Sequence, residues 1–201
     1  MLEYVLAALS FGFAAGLKPG PLGVVVIQQT LANGLGSGAR ASLAPMITDG
    51  PIILAAMVLF SQFKDVTPLV ATLSLVGGLY LMWLASKILR IQDIRLSERL
   101  PRTSSLALAI KVNFLNPSPY LFWFTVGGSY IMLGSAVEAT VFVVVAIGTL
   151  VVSKILVAAV AAMCRPLLDS RAYLFVMKAL AVALAVFGAL SVSKAYKLFY
   201  A

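Results

Sequence analysis

Histidine is absent from the 201 residues, cysteine occurs once, at Cys164, and only seven residues are acidic. A Cys/His metal site needs several such ligands and an intrachain dithiol needs two thiols, so both are excluded. Cys164 is expected to be a packing residue near a helix end. Charged residues make up 11% of the chain. No polar stretch of domain size interrupts the apolar runs, so a single membrane domain without a soluble appendage is expected. The chain opens MLEYVLAALS, with an acid and no lysine before Lys18. It therefore lacks the basic start of a secretory signal peptide, and the first apolar segment is expected to stay in the mature protein.

What the chain has in abundance is apolar surface: 62% hydrophobic residues and a mean hydropathy of +1.04. No single soluble core could bury that much, which points to an all-α integral membrane protein. The formal charge of +8 sits at the ends of apolar runs and not on a polar face, so it reads as membrane orientation and not as a nucleic-acid surface. A spanning helix needs about 20 mostly apolar residues. Six segments qualify: Leu2–Leu31, Ala41–Phe60, Pro68–Leu89, Leu106–Leu133, Ala139–Met163 and Ala172–Phe199. Arg40, then Arg90, Arg95, Arg99 and Arg102, then Arg165 and Arg171 fall in alternate loops. Those loops are therefore expected to be cytoplasmic and both termini extracytoplasmic, against the opposing Lys64, Lys194 and Lys197. GLGSG at 34–38 lacks the GK[ST] ending of a phosphate loop and reads as a tight turn.

The chain also repeats itself. PGP (Pro19, Gly20, Pro21) in the first segment is matched by PSP (Pro117, Ser118, Pro119) in the fourth, and SKILR by SKAYK at the ends of the third and sixth. Three spans per repeat would set the halves in opposite orientations: repeat one at about 1–90, a cytoplasmic loop at about 91–105 and repeat two at about 106–201. Each proline frees the carbonyl four residues back, which hydrocarbon cannot satisfy, so both breaks predict a polar interior. Gly20 or Ser118 can then cap a restarted helix, with Pro21 or Pro119 at its first position. Two open helix N-termini at mid-membrane would suit a carboxylate. The plain alternative is that the prolines merely kink ordinary spans.

Ionisable residues inside the spans sharpen this. Asp49 lies about 14 Å beyond Arg40 and Lys154 about 16 Å from Arg165, at ~1.5 Å per helical residue. Lys18 falls near the middle of the first segment. Each costs at least ~2.5–3.5 kcal/mol to insert, so each should pair or face water. Asp49 may be read either as the structural partner of Lys18 or Lys154 or as a group that binds substrate or carries a proton. Gln28, Gln29, Thr48, Asn113 and Asn116 could line a path or bond between helices. Tyr80, Trp83, Tyr120, Trp123 and Tyr130 are expected to pack or mark interfaces, and Lys87, Lys111 and Lys178 to reach the membrane surface.

PGP in the first span, NGLGSG in the first loop, Asp49 in the second span, GGLYLMWLASKILR in the third and FLNPSPYLFWFTVGG in the fourth together resemble the LysE family of amino-acid exporters over nearly the whole chain. The resemblance implies a six-helix inner-membrane transporter that exports amino acids or related small metabolites with the proton-motive force. It carries over Pro19, Gly20 and Pro21 as the first broken-helix motif, Asn116 and Pro117 as the second, and Asp49 as the embedded acid. Typical members have an acid in the fifth span where this chain has Lys154, which favours neutral or anionic substrates over basic ones. The candidate substrate-binding or coupling residues are thus Lys18, Pro19, Gly20, Pro21, Asp49, Asn113, Asn116, Pro117, Ser118, Pro119 and Lys154. The implied partners are a small-molecule substrate, a coupling proton and the lipid bilayer, with a homodimer as a further option. No cofactor, metal or catalytic residue is implied. A passive small-solute channel and a membrane enzyme acting on lipid or thiol substrates are the competing readings.

Overall fold

A computed structural model describes residues 1–18, 20–62, 67–90, 105–165 and 170–200. Among these the chain is helical: α1 (Leu2–Leu17), α2 (Pro21–Asn33), α3 (Leu35–Ser42), α4 (Ala44–Gln62), α5 (Thr67–Leu89), α6 (Ser105–Phe114) and α7 (Pro117–Phe122). A π-helical segment, Trp123–Gly127, leads into α8 (Gly128–Leu133), followed by α9 (Ala136–Cys164) and α10 (Ser170–Tyr200). Pro19, Arg95, Arg99 and Arg102 lie outside the described residues.

Leu35–Val58, Ala136–Cys164 and Leu174–Phe199 are long and apolar enough to cross a membrane, and α1 with α2, bent by 60°, make a fourth such unit. Ser74–Leu89 and Ser105–Phe114 are shorter apolar helices. Apolar side chains that a soluble protein would bury stand exposed in helical stripes, such as Val152, Leu156 and Val160 on α9 and Val182 and Val186 on α10. In a bilayer these stripes meet lipid, and burial is reserved for helix contacts. The start of α9 is fixed by a capping box, in which Ser135 Oγ accepts from the Glu138 N–H and Glu138 Oε2 accepts from the Ser135 N–H at 3.1 Å.

Small residues set the closest helix contacts. α1 runs along α9, and α5 along α10. A Cβ on Gly12 would lie 2.5 Å from the Ala146 carbonyl oxygen, and one on Gly16 would collide with Ser153. On the second pair, Gly78 and Gly188 face each other, each leaving room for the other's carbonyl. With no side chain at these four positions the backbones approach closely, which is the main source of helix cohesion in lipid.

Three sequence expectations are corrected. GLGSG is not a turn throughout: Gly34 alone has positive φ, 85°, and α3 begins at Leu35. Gly38 is then needed for packing, because a Cβ there would strike Thr30 Oγ1. The second break falls two residues earlier than expected: α7 restarts at Pro117 with Asn116, not Ser118, as its N-cap, so Pro119 is the third helical residue. The asparagine side chain wins because its oxygen reaches the Ser118 N–H at 3.1 Å. Finally, Cys164 is the last residue of α9 but is exposed, not packed.

Candidate functional site

The two helix breaks open onto one cavity of about 510 Å³, a volume usual for a small-molecule site. Lys18, Gly20, Pro21, Asp49, Asn113, Asn116, Pro117, Ser118, Pro119 and Lys154 all line it. These residues come from α1, α2, α4, α6, α7, α9 and the two breaks, and are thus gathered from positions up to 136 apart in sequence.

At the first break α1 ends with the Lys18 N–H donating to the Ala14 carbonyl at 2.9 Å. The chain is extended at Gly20 (φ −170°, ψ 174°), the N-cap of α2, and Pro21 follows at the first helical position. Gly20 has no side chain to cap with, so the N–H groups of Leu22 and Gly23, both on the cavity, carry no side-chain cap. The Val24 N–H donates to the Gly20 carbonyl at 3.0 Å. Lys154 reaches across from α9 and donates to the Lys18 carbonyl at 3.4 Å. Gly23 makes the room for it, since a Cβ there would lie 3.1 Å from Nζ.

The second break closes on itself. The Asn116 N–H donates to the Asn113 carbonyl at 3.2 Å, its Oδ1 takes the Ser118 N–H, and Pro117 and Pro119 have no N–H to offer. The expectation of two open helix N-termini therefore holds for α2 and fails for α7. The two prolines that break the segment also remove the donors that would have faced a ligand.

Asp49 is the centre of the polar network. It is 3% exposed, on α4. Oδ1 accepts from Thr48 Oγ1 at 3.1 Å and Asn113 Nδ2 at 3.2 Å, and Oδ2 accepts from Trp123 Nε1 at 3.1 Å. Asn113 Nδ2 also donates to Thr48 Oγ1 at 2.6 Å, tying α6 to α4. Among the described residues no lysine or arginine stands within ion-pair distance of Asp49. Of the two readings of Asp49, a structural pair with Lys18 or Lys154 is not seen among the described residues; three neutral donors occupy the carboxylate instead.

Trp123, whose type and position suggest packing, also joins the polar network. It does pack, edge-on against Phe122 and Phe142 with ring centroids 4.9 and 6.4 Å away, but its indole N–H ends on Asp49. The π-helical segment that begins at Trp123 adds a residue to the turn, and Gly127 vacates the space its ring fills; neither is visible as a hydrophobic period. Trp123→Phe keeps the packing and strips one donor from a buried carboxylate. It should lower stability by about 1–3 kcal/mol, read from unfolding in mixed micelles.

A model of the LysE type translocator family matches residues 13–194. The chain belongs to the LysE type translocator family. No curated protein matches the chain, and no solved structure does. Family membership and the apolar helices together make this LysE-type translocator a membrane transport protein. Its cavity also takes in Pro45, Phe122, Ser191 and Lys194, none of which stood out in the sequence as site residues. Lys194, one of the lysines that oppose the arginine-rich loops in the sequence, lies on the cavity wall. Gln28 and Gln29, also candidates for a polar path, are buried in α2. Gln29 Oε1 accepts from Ser105 at 2.8 Å, a bond between α2 and α6.

Proposed function

We propose that this LysE-type translocator is a secondary exporter of amino acids or related small metabolites across the cytoplasmic membrane, coupled to protons and working by alternating access. One observation carries the reading: a buried aspartate on the wall of a cavity formed by both helix breaks, held by neutral donors and by no cation. Such a carboxylate can take a proton, or a substrate ammonium, without first breaking an ion pair. A permanently paired one could not do so at comparable cost.

In this reading the six spans are α1 with α2, α3 with α4, α5, α6 through α8, α9, and α10, arranged as two inverted halves. The packing supports it. The third span of each half meets its counterpart at Gly78 and Gly188, as an axis between the halves would require. The first helix of each half lies on the second span of the other half, α1 on α9 and α6 on α4. Rocking of the halves about this contact would expose the cavity to each side in turn. The loops rich in arginine would face the cytoplasm.

The test is transport in proteoliposomes with a panel of amino acids, with and without a pH gradient. Saturable flux that needs the gradient is expected. Unsaturable flux without a gradient would make the protein a channel, and a chemically altered solute would make it an enzyme.

A further inference from the structure

Among the described residues the cavity carries more positive than negative charge. Lys18, Lys154 and Lys194 line it, and Asp49 is the one acid among the described residues of its wall. Lys154 is 5% exposed, and of the three donors on its ammonium the structure assigns one, to the Lys18 carbonyl. The uncapped N–H groups at the start of α2 add to the same sign. Most of the remaining wall is apolar, from Phe11, Leu22, Ile147 and Leu150 among others. Water therefore screens the buried Lys154 poorly, and a solute with negative charge can supply its counter-charge.

A basic amino acid would worsen the imbalance, and a zwitterion would leave it as it is. A dicarboxylate removes all of it, and an acidic amino acid, whose ammonium offsets one of its two carboxylates, removes half. Resting on the export reading above, we infer that the transported solute is a small molecule with two carboxylates, an acidic amino acid or a dicarboxylate of similar length, with Lys154 and Lys194 as the residues that select for the second negative group. Lys154 has the stronger hold because it is buried. Lys194, half-buried on α10, faces the cavity from another helix.

The experiment loads proteoliposomes in parallel with glutamate, glutarate, glutamine and lysine, and measures gradient-dependent flux of each. Glutamate or glutarate should exceed glutamine by at least about tenfold, the scale of one lost charge contact, and lysine should be slowest. Comparison of glutamate with glutarate shows whether an amino group is also read. Lys154→Gln and Lys194→Gln should each narrow the ratio of glutamate or glutarate to glutamine. Lys194→Gln carries this arm if the buried Lys154→Gln variant fails to insert. Glutamine or lysine moving as fast as glutamate, with the gradient still required, overturns this assignment and leaves the export reading standing, as does an unchanged ratio in the inserted variants. No gradient-dependent flux of any solute, including the wider amino-acid panel, overturns both.

Discussion

Asp49→Asn should abolish transport while leaving the inserted, folded protein nearly as stable as the wild type. The substitution is close to isosteric. The amide oxygen can replace Oδ2 as acceptor for Trp123 Nε1, and the amide nitrogen can turn to Thr48 Oγ1, which already serves as an acceptor for Asn113. What is lost is the negative charge and the site for a proton. Removal of one partner from a buried charged contact costs some 2–5 kcal/mol, so flux should fall by at least about thirtyfold. Flux in proteoliposomes, with the unfolding midpoint in detergent measured on the same preparation, separates this from collapse of the fold. Wild-type flux in the variant would remove Asp49 from the coupling site.

Gly12→Val should impair folding. The added Cβ would stand 2.5 Å from a main-chain oxygen, that of Ala146, and 2.8 Å from Thr149 Cβ. A flexible side chain could move aside, but the backbone of α9 cannot shift without pulling α1 and the first break with it. Overpacking of this kind costs about 1–3 kcal/mol or more. The built-in comparison is Gly148→Val on α9 itself, where a Cβ meets nothing within 4 Å. It should change stability by less than about 0.5 kcal/mol, as surface substitutions do. Equal stability of the two variants would mean that the α1–α9 contact does not hold the protein together.

The family, the helical membrane character and several of the residues that line the cavity, such as Asp49, Asn113 and Lys154, were legible in the sequence. Each follows from a property a residue carries wherever it is placed: an apolar run seeks lipid, a proline lacks an N–H, and an aspartate in a greasy segment must find polar company. The partners were not legible. That Asp49 meets Trp123, Asn113 and Thr48 and neither lysine, that Asn116 seals the second break while Gly20 leaves the first uncapped, and that Lys194 turns to the cavity depend on how separate helices cross. Those crossings are set by close approaches at Gly12, Gly16, Gly78 and Gly188, between backbones about a hundred or more positions apart in the chain. The chain by itself determined which groups had to be satisfied. Only the packed helices decided which neighbour satisfied each one, because hydrogen bonds and ion pairs act over a few ångströms and sequence spacing does not measure that distance.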